Sequence, residues 1–255
     1  ANTSLSAIPT VLTAGTYLAA YPTGIGANSM NTNPGYVNNS TNLHVTNPCL
    51  NGTNLGLTTD IDSQARSSTP DIGADEIPSF SLDAMVMAIR SPATAIVTPG
   101  SPYTVTITVR NAGTTTITDL DANYSVNGSV TSQSFSGLNI LPCDTLQLSF
   151  SSTYTFSGGN NVFRAFTGNV NTSPDQNNIN DTLTTNFCTP FSGVFTINKT
   201  LPQSQSNFTS VQSAINAVYS CGINGPVTLR IASGSGPYNE QVLFNGIVPG
   251  SNFIN

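Results

Sequence analysis

The clearest hydrophobic pattern in the chain is a two-residue alternation within residues 80–187. Residues 103–109 read Tyr-Thr-Val-Thr-Ile-Thr-Val, with apolar and polar side chains on opposite faces. Leu146, Leu148 and Phe150 alternate with polar residues in the same way. This period is typical of a half-buried strand. Turn signals at 111–113 and 127–129 separate such runs, and short strands at this spacing predict a β-sandwich over 80–188.

Two stretches of this region carry a family resemblance. Pro99–Gly128, PGSPYTVTITVRNAGTTTITDLDANYSVNG, is similar to the bacterial cell-adhesion-related sandwich family called CARDB. Asn177–Phe187, NNINDTLTTNF, resembles the last strand of that family. The resemblance implies an immunoglobulin-like (Ig-like) sandwich, which we expect over residues 78–190. With no tryptophan and no cysteine pair at antibody-type positions, an antibody-type domain is excluded.

The region before the sandwich carries a second resemblance. It contains Asp-Ile-Asp at 60–62, then Arg66, then Asp-Ile-Gly-Ala-Asp-Glu at 71–76. This phrase resembles the closing end of right-handed parallel β-helices in secreted bacterial proteins. The resemblance implies that residues 1–77 are the C-terminal part of a β-helix. A polar, turn-rich segment there would protect the open edge of the solenoid.

The region after the sandwich predicts a strand followed by one helix. A short stiff linker, Cys188-Thr189-Pro190, leads to the strand-like run at 194–197. Apolar residues at helical spacing from Phe208 to Tyr219 predict an amphipathic helix, capped by Ser206 or Asn207 and ended by Gly222. Gly225–Asn252 resembles the opening coils of the same β-helix family. Residues 191–255 are therefore expected to form the N-terminal part of a β-helix with a capping helix.

The predicted fold class is thus all-β, with a sandwich flanked by two partial β-helices and one short helix. Each partial solenoid would leave an unpaired edge. We therefore expect the 191–255 half and the 1–77 half to stack. The two halves would come from one chain, from successive repeats of a longer chain, or from neighbouring subunits of a filament.

The amino-acid composition limits the classes of function that fit the chain. Charged residues are 7% of the chain, with six Lys and Arg against twelve Asp and Glu, where ~25% charged is typical. So few cations argue against nucleic-acid binding and against an anionic membrane surface. No apolar run approaches the ~20 residues of a membrane span. No signal peptide opens the chain, and Ala1 suggests a mature or internal segment. We expect an extracellular location.

Four cysteines allow three disulfide pairings, and the sequence does not choose among them. Cys143 and Cys188 both border the predicted sandwich, so that pair is the preferred candidate. Four free thiols are the alternative.

Asp60 and Asp62 are the first candidate site residues. Lying two apart, they would point to the same side of a strand. An ion pair of either with Arg66 is the first interpretation. A calcium ion held by Asp60 and Asp62 is the second, and a catalytic carboxylate pair is the third. Apart from calcium, no cofactor is expected.

Several other residues carry weaker signals. His44, the single histidine, is expected at the surface or in a turn, because no second histidine is present to build a zinc site. Glu240 is expected to be a solvated carboxylate. Asp-Thr-Leu at 144–146 and at 181–183 resembles an O-glycosylation pattern of gliding bacteria, which makes Thr145 and Thr182 candidate acceptors.

These observations predict a non-enzymatic structural or adhesive segment of a large bacterial surface protein or filament. Export by the type IX (gliding-bacteria) route is expected, and the surface glycan or protein it contacts is open. The first alternative is a polysaccharide-active β-helix enzyme with an accessory sandwich. The second is a carbohydrate-binding module whose stacking residues are tyrosines: Tyr17, Tyr21, Tyr36 or Tyr238.

Overall fold

The computed structural model describes residues 33, 35–38 and 40–244. The chain forms two compact units that divide between Ser79 and Phe80. Predictions made for residues 1–32 and 245–255, including those for Tyr17 and Tyr21, lie outside the described residues. The strands are β1 Tyr36–Asn38, β2 Asn42–Val45, β3 Ala84–Ser91, β4 Pro102–Asn111, β5 Ile117–Val126, β6 Ser129–Ile140, β7 Thr145–Thr155, β8 Gly159–Val170, β9 Ser173–Pro174, β10 Thr182–Thr189, β11 Phe191–Ile197, β12 Asn207–Phe208 and β13 Ile223–Ile231. The described helix, α1, is Val211–Cys221.

The first unit contains little regular structure. Strands β1 and β2 form an antiparallel pair. Beyond them, isolated bridges join Asn51 to Asp71 and Thr59 to Ala65. Turns and loops make up the rest of 46–79. Scattered backbone hydrogen bonds, such as those from Gly52 N–H to the Pro70 carbonyl and from Ile72 N–H to the Leu50 carbonyl, both 2.7 Å, hold this segment together with side-chain contacts.

The second unit begins with two facing antiparallel sheets. One has the order β3-β4-β7, and the other has β10-β8-β5-β6, with β9 paired to β8. This order matches an Ig-like sandwich, in which the first, second and fifth main strands share one sheet. The β5–β6 connection is a two-residue turn with positive φ at Asn127 (50°) and Gly128 (88°), as a type I′ hairpin requires. The sandwich prediction is confirmed.

Both sheets contribute to one hydrophobic core. Val105, Ile107 and Val109 are each fully buried, as the alternation predicts for β4. On β7, Leu148 and Phe150 are buried, whereas Leu146 is 37% exposed because it lies at the open end of its strand. Tyr124 packs edge-on against Phe150, with ring centroids 4.8 Å apart.

Residues 191–231 form a small parallel sheet with the order β12-β11-β13. Helix α1 lies between β12 and β13 in the chain, so β11 and β13 are joined by a crossover. Ser210 caps the helix, because its side chain accepts from the Ser213 N–H while Ser213 bonds back. The predicted caps Ser206 and Asn207 are therefore wrong, since Asn207 and Phe208 pair with β11 instead. The predicted end at Gly222 is confirmed.

The structure does not show β-helix coils in the part it describes. Parallel pairing around β11 is compatible with the start of a solenoid, but it amounts to three strands. In the first unit, the described strands pair antiparallel. The two partial β-helices and the three domain ranges 1–77, 78–190 and 191–255 stay predictions. Within the described range, no helix is long and apolar enough to cross a membrane.

Candidate functional site

The junction between the sandwich and the parallel sheet is the most extensively built feature of the second unit. Strand β10 ends at Thr189 and β11 begins at Phe191, so Pro190 alone separates two strands that belong to different sheets. Thr189 is fully buried and Phe191 is 1% exposed. The predicted linker is therefore packed inside the unit and cannot act as a free hinge.

A disulfide closes this junction. Cys188 near the end of β10 is bonded to Cys221, the last residue of α1, with 4.9 Å between their Cα atoms. The preferred prediction, Cys143 with Cys188, is wrong. The sequence places both of those cysteines at the sandwich border, but the helix folds back on β10 and brings Cys221 to Cys188.

Close packing and amide bonds reinforce the junction. Gly159 at the start of β8 has φ +90°, and a Cβ atom there would lie 3.0 Å from the Phe191 ring. The buried side chain of Asn161 accepts from Gln205 Nε2 at 2.7 Å and donates to the Ser157 and Gly159 carbonyls, both at 3.0 Å. The Asn161 amide bonds and the packing of the Phe191 ring on Gly159 both require the backbones to lie close together. They therefore fix the position of the parallel sheet relative to the sandwich within this unit.

A cleft of about 670 Å³ opens beside the junction. Its lining is uncharged and rich in amides, with Asn127, Asn160, Gln203 and Gln205 among the lining residues. Phe191 and Phe208 lie at its floor but are 1% and 3% exposed. The cleft therefore offers neutral hydrogen-bonding groups without an exposed ring on which a sugar could stack.

The polar segment of the first unit is organised around Arg66. Its guanidinium donates to the Asp71 and Gly73 carbonyls at 2.9 and 2.7 Å, and it pairs with Glu76 at 3.4 Å. Glu76 also accepts the Ser67 and Asp71 backbone N–H groups at 3.0 and 2.9 Å. These contacts tie the 71–76 phrase to the preceding turn.

Asp60 and Asp62 do not share one face of a strand. Residues 61–63 form a turn, and Asp60 accepts the backbone N–H groups of Asp62, Gln64 and Glu76 at 2.9, 2.8 and 3.2 Å. The predicted ion pair of Arg66 with an aspartate is wrong, since Arg66 selects Glu76. Asp60 is committed to the backbone, so the calcium interpretation for Asp60 and Asp62 stays an untested prediction that these bonds disfavour.

His44 has closer partners than the sequence suggests. Its Nε2 lies 2.5 Å from Asp62 Oδ2, and its Nδ1 contacts Asn42 Oδ1. The Asp62 hydrogen bond raises the pKa of His44 above its ordinary value. One donor atom each of His44, Asp62 and Asp75 lie within 4.8 Å of one another. Asp75 Oδ2 also accepts the Val45 N–H at 2.8 Å, so this group holds β2 to the later turns.

The structure also shows the surroundings of the two candidate threonines, two of the tyrosines and Glu240. Thr145 is exposed at the start of β7, whereas the Thr182 hydroxyl accepts from Arg164 at 3.1 Å. Tyr238 donates its hydroxyl to the Ile197 carbonyl at 3.2 Å and supports the parallel sheet. Tyr36 is 43% exposed. Glu240 is not merely solvated, because it accepts the Val211 and Gln212 N–H groups at the helix start, at 2.8 and 3.0 Å.

Two contacts escaped the sequence analysis for the same reason. His44 and Asp62 are 18 residues apart, and Glu240 lies 29 residues beyond the helix start that it caps. A sequence pattern indicates contacts between residues that lie close together in the chain. Neither of these two pairs has such a local pattern. The first four N–H groups of any helix lack an intrahelical partner, and this is the signal that points to a distant carboxylate at the helix start.

No protein-family model matches the chain, and no curated protein matches it. Among solved structures, the CARDB domain of a Pyrococcus furiosus protein in complex with di-metal ions is 18% identical, with a TM-score of 0.35, covering 45% of this chain and 94% of that one. A domain of a protein named as a cell-surface protein in Methanosarcina acetivorans is 21% identical, with a TM-score of 0.35, covering 42% and 91%.

A longer match extends over a larger part of the chain. A cycloisomaltooligosaccharide glucanotransferase from Paenibacillus sp., complexed with cycloisomaltoheptaose, is 14% identical with a TM-score of 0.27 and covers 60% of this chain and 20% of that one. With TM-scores below 0.5, none of these similarities assigns a function to this chain.

Proposed function

We propose that this chain is a non-enzymatic structural segment of a large extracellular bacterial surface protein, and that it serves attachment or the assembly of subunits. The observation that carries the proposal is the fused junction between the sandwich and the parallel sheet. One residue separates their strands, and a disulfide crosses between β10 and α1. Modules joined in this way transmit orientation and force, whereas flexible linkers of the Gly/Ser kind do not.

The surface chemistry supports the same proposal. With 7% charged residues, most polar side chains that face solvent are Thr, Ser and Asn, which do not titrate in the ordinary range. Such a surface keeps its hydration when salt and pH vary outside the cell. Export by the type IX route and a role in filaments are finer parts of this proposal, and they rest on the sequence resemblance.

Assembly through stacked strands is a further part of the proposal. In the described sheet, β12 and β13 are the two edges, each with β11 as its neighbour. An edge strand presents N–H and C=O groups that pair readily with another strand. Ile231 on the edge strand β13 is 54% exposed, so a strand added beside β13 would pack next to apolar surface as well.

Single-molecule stretching of the full chain between terminal handles tests the structural role. Force entering at β13 would reach β10 through the Cys188–Cys221 bond and bypass β11 and α1. We expect the wild-type chain to unfold the second unit in one cooperative event. Its extension should be shorter than that of the Cys188→Ser/Cys221→Ser variant by ~110 Å, the length of the 33 residues between the cysteines.

The double variant is the matched control, because it should release β11 and α1 as a separate early step. Two separate steps in the wild type would overturn the fused-junction argument. Turnover of any glycan in a panel of acidic and neutral polysaccharides, lost in Asp62→Asn, would move the assignment to the enzyme class.

A further inference from the structure

Three buried carboxylates meet at one end of the sandwich. Asp83 precedes β3, Asp175 follows β9 and Asp181 precedes β10. They are 2%, 7% and 8% exposed. The loop 175–181 therefore closes against the start of β3 with three acidic groups in the contact. Nothing in the fold itself requires acids here, since a sandwich end is ordinarily closed by neutral turn residues.

The partners of Asp83 and Asp175 are neutral. Asp83 accepts from Asn177 Nδ2 and Asn180 Nδ2 at 2.9 and 3.0 Å. Asp175 accepts the Ala84 and Asn177 backbone N–H groups at 2.7 and 2.9 Å. These bonds orient the carboxylates but bring no positive charge, so the negative charge of the group is not compensated by its hydrogen bonds.

Among the groups that shift the pKa values of Asp83, Asp175 and Asp181, none is a Lys or Arg side chain. Those groups are other carboxylates and neutral hydrogen-bond partners. The Arg164 guanidinium donates to the Thr182 hydroxyl. Buried charges are paired, bound to a metal or neutralised by a proton. The first of these three solutions is not realised here.

Two oxygen atoms of the loop point to the second solution. Asp181 Oδ1 and Asn180 Oδ1 are shielded from solvent and have no hydrogen-bond partner. Asp181 is more than nine-tenths buried, and it interacts electrostatically with both Asp175 and Asp83. A buried acceptor without a donor is costly. Carboxylate and amide oxygens are also the ligands that calcium prefers.

The third solution, a proton, competes for the same oxygens. Burial, and next the charge of Asp175, raise the pKa of Asp181 to about 7. Burial also raises the pKa of Asp175 and of Asp83. The titratable groups that face Asp181 are therefore Asp175 from its own loop and Asp83 from the start of β3.

We propose that Asp175 and Asp181, with the side-chain oxygen of Asn180, bind a calcium ion that fastens the 175–181 loop to the start of β3. Two carboxylates balance the charge of one divalent ion. Asp83 stays bonded to the two asparagines and orients them. The site differs from the predicted calcium candidates Asp60 and Asp62, which lie in the other unit.

The experiment is calorimetric titration of the full chain with calcium chloride at pH 8, together with thermal unfolding with and without calcium. We expect one ion bound through this site, a higher melting temperature of the sandwich, and loss of both effects in Asp181→Asn. Asp144→Asn is the matched control, because Asp144 lies in the other Asp-Thr-Leu triplet and is exposed. Asp62→Asn controls for the carboxylates of the first unit.

Three results would overturn the proposal. The first is the absence of heat and of stabilisation at millimolar calcium. The second is calcium binding that survives in both Asp181→Asn and Asp175→Asn. The third is a site lost in Asp62→Asn. If calcium has no effect but Asp181→Asn stabilises the chain at pH 8, a proton alone neutralises the group. Because the asparagine variant removes a buried charge, it should fold at least as well as the wild type.

Discussion

The two units of this molecule bury acidic side chains in opposite ways. In the first unit, burial opposes ionisation of Asp60 and Glu76, but backbone N–H groups and Arg66 outweigh it and lower both pKa values. In the second unit, burial dominates and raises the pKa of Asp83, Asp175 and Asp181. Asp60 and Glu76 are thus stabilised as charges, whereas the environment of Asp83, Asp175 and Asp181 disfavours their charged forms.

Degree of burial does not explain this difference. Glu76 is 9% exposed and Asp181 is 8% exposed, yet their pKa values move in opposite directions. Glu76 has a guanidinium and two N–H donors, whereas Asp181 faces two other carboxylates. Asp71 of the first unit resembles the second-unit carboxylates, because burial, and next the charges of Glu76 and Asp75, raise its pKa. Donors alone therefore do not decide the direction: a guanidinium beside Glu76 and other carboxylates beside Asp181 distinguish the two residues.

The strongest test of this comparison removes Arg66. Its side chain and that of Glu76 are 6% and 10% exposed, and losing one partner of a buried pair costs ~3–5 kcal/mol. We expect Arg66→Ala to unfold the loops of 46–79 while the sandwich is unaffected. Hydrogen exchange resolved by peptide measures each unit separately.

Arg230→Ala is the control for that substitution, because Arg230 is exposed on β13 and should leave exchange in both units unchanged. Equal protection of residues 46–79 in wild type and Arg66→Ala would show that this network contributes little, and the contrast between the units would then rest on pKa values alone.

The same physics explains what the sequence could predict of the fold. Alternation in β4 is local, so Val105, Ile107 and Val109 were placed in the core correctly. The cap of α1 was misplaced because Phe208 also fits the helical spacing. Pairing of Asn207 and Phe208 with β11 decides against it, and parallel pairing is a tertiary effect that no window of sequence shows.

The candidate sites were less predictable, since they depend on long-range contacts. Asp60 and Asp62 stand out in sequence, yet Asp60 is satisfied by the N–H groups of its own turn and by Glu76. In the sequence, Asp83 and Asp181 belong to no pattern that indicates a buried acidic group. They become a group because β3 and β10 begin at the same end of the sandwich. Asp83 and its partner Asn180 are 97 residues apart in sequence.

Glu240 sharpens the comparison, because it is an acid of the second unit that does have donors. It accepts the Val211 and Gln212 N–H groups at 2.8 and 3.0 Å, at the positive end of the α1 dipole. We expect Glu240→Gln to weaken the helix start by ~1 kcal/mol. Exchange of the first-turn amides should accelerate about fivefold, with Asp144→Asn as an unaffected control. No acceleration would mean that the Ser210 cap alone holds the helix start.

The smallest effects are expected from pH alone, because solvent screens part of each shift. For Asp181 the folded pKa is about 7, well above its unfolded value. The folded state therefore binds more protons than the unfolded state between pH 4 and 7, and stability is lost as pH rises through that window. For Asp60 and Glu76 the folded pKa is lowered, so their contribution is present above pH ~4.5 and is lost as pH falls further.

The two units should therefore respond to acid in opposite senses. From pH 8 to pH 5, without calcium, protection of the sandwich amides should rise. Below pH 4, protection of 46–79 should fall. Exchange rates must be corrected for their intrinsic pH dependence, and Asp181→Asn supplies the reference, since it should flatten the rise in the sandwich without altering the fall in 46–79. A common response of both units would mean that burial alone sets how each carboxylate titrates. It would contradict the conclusion that neighbouring charges and hydrogen-bond donors set the direction of each pKa shift.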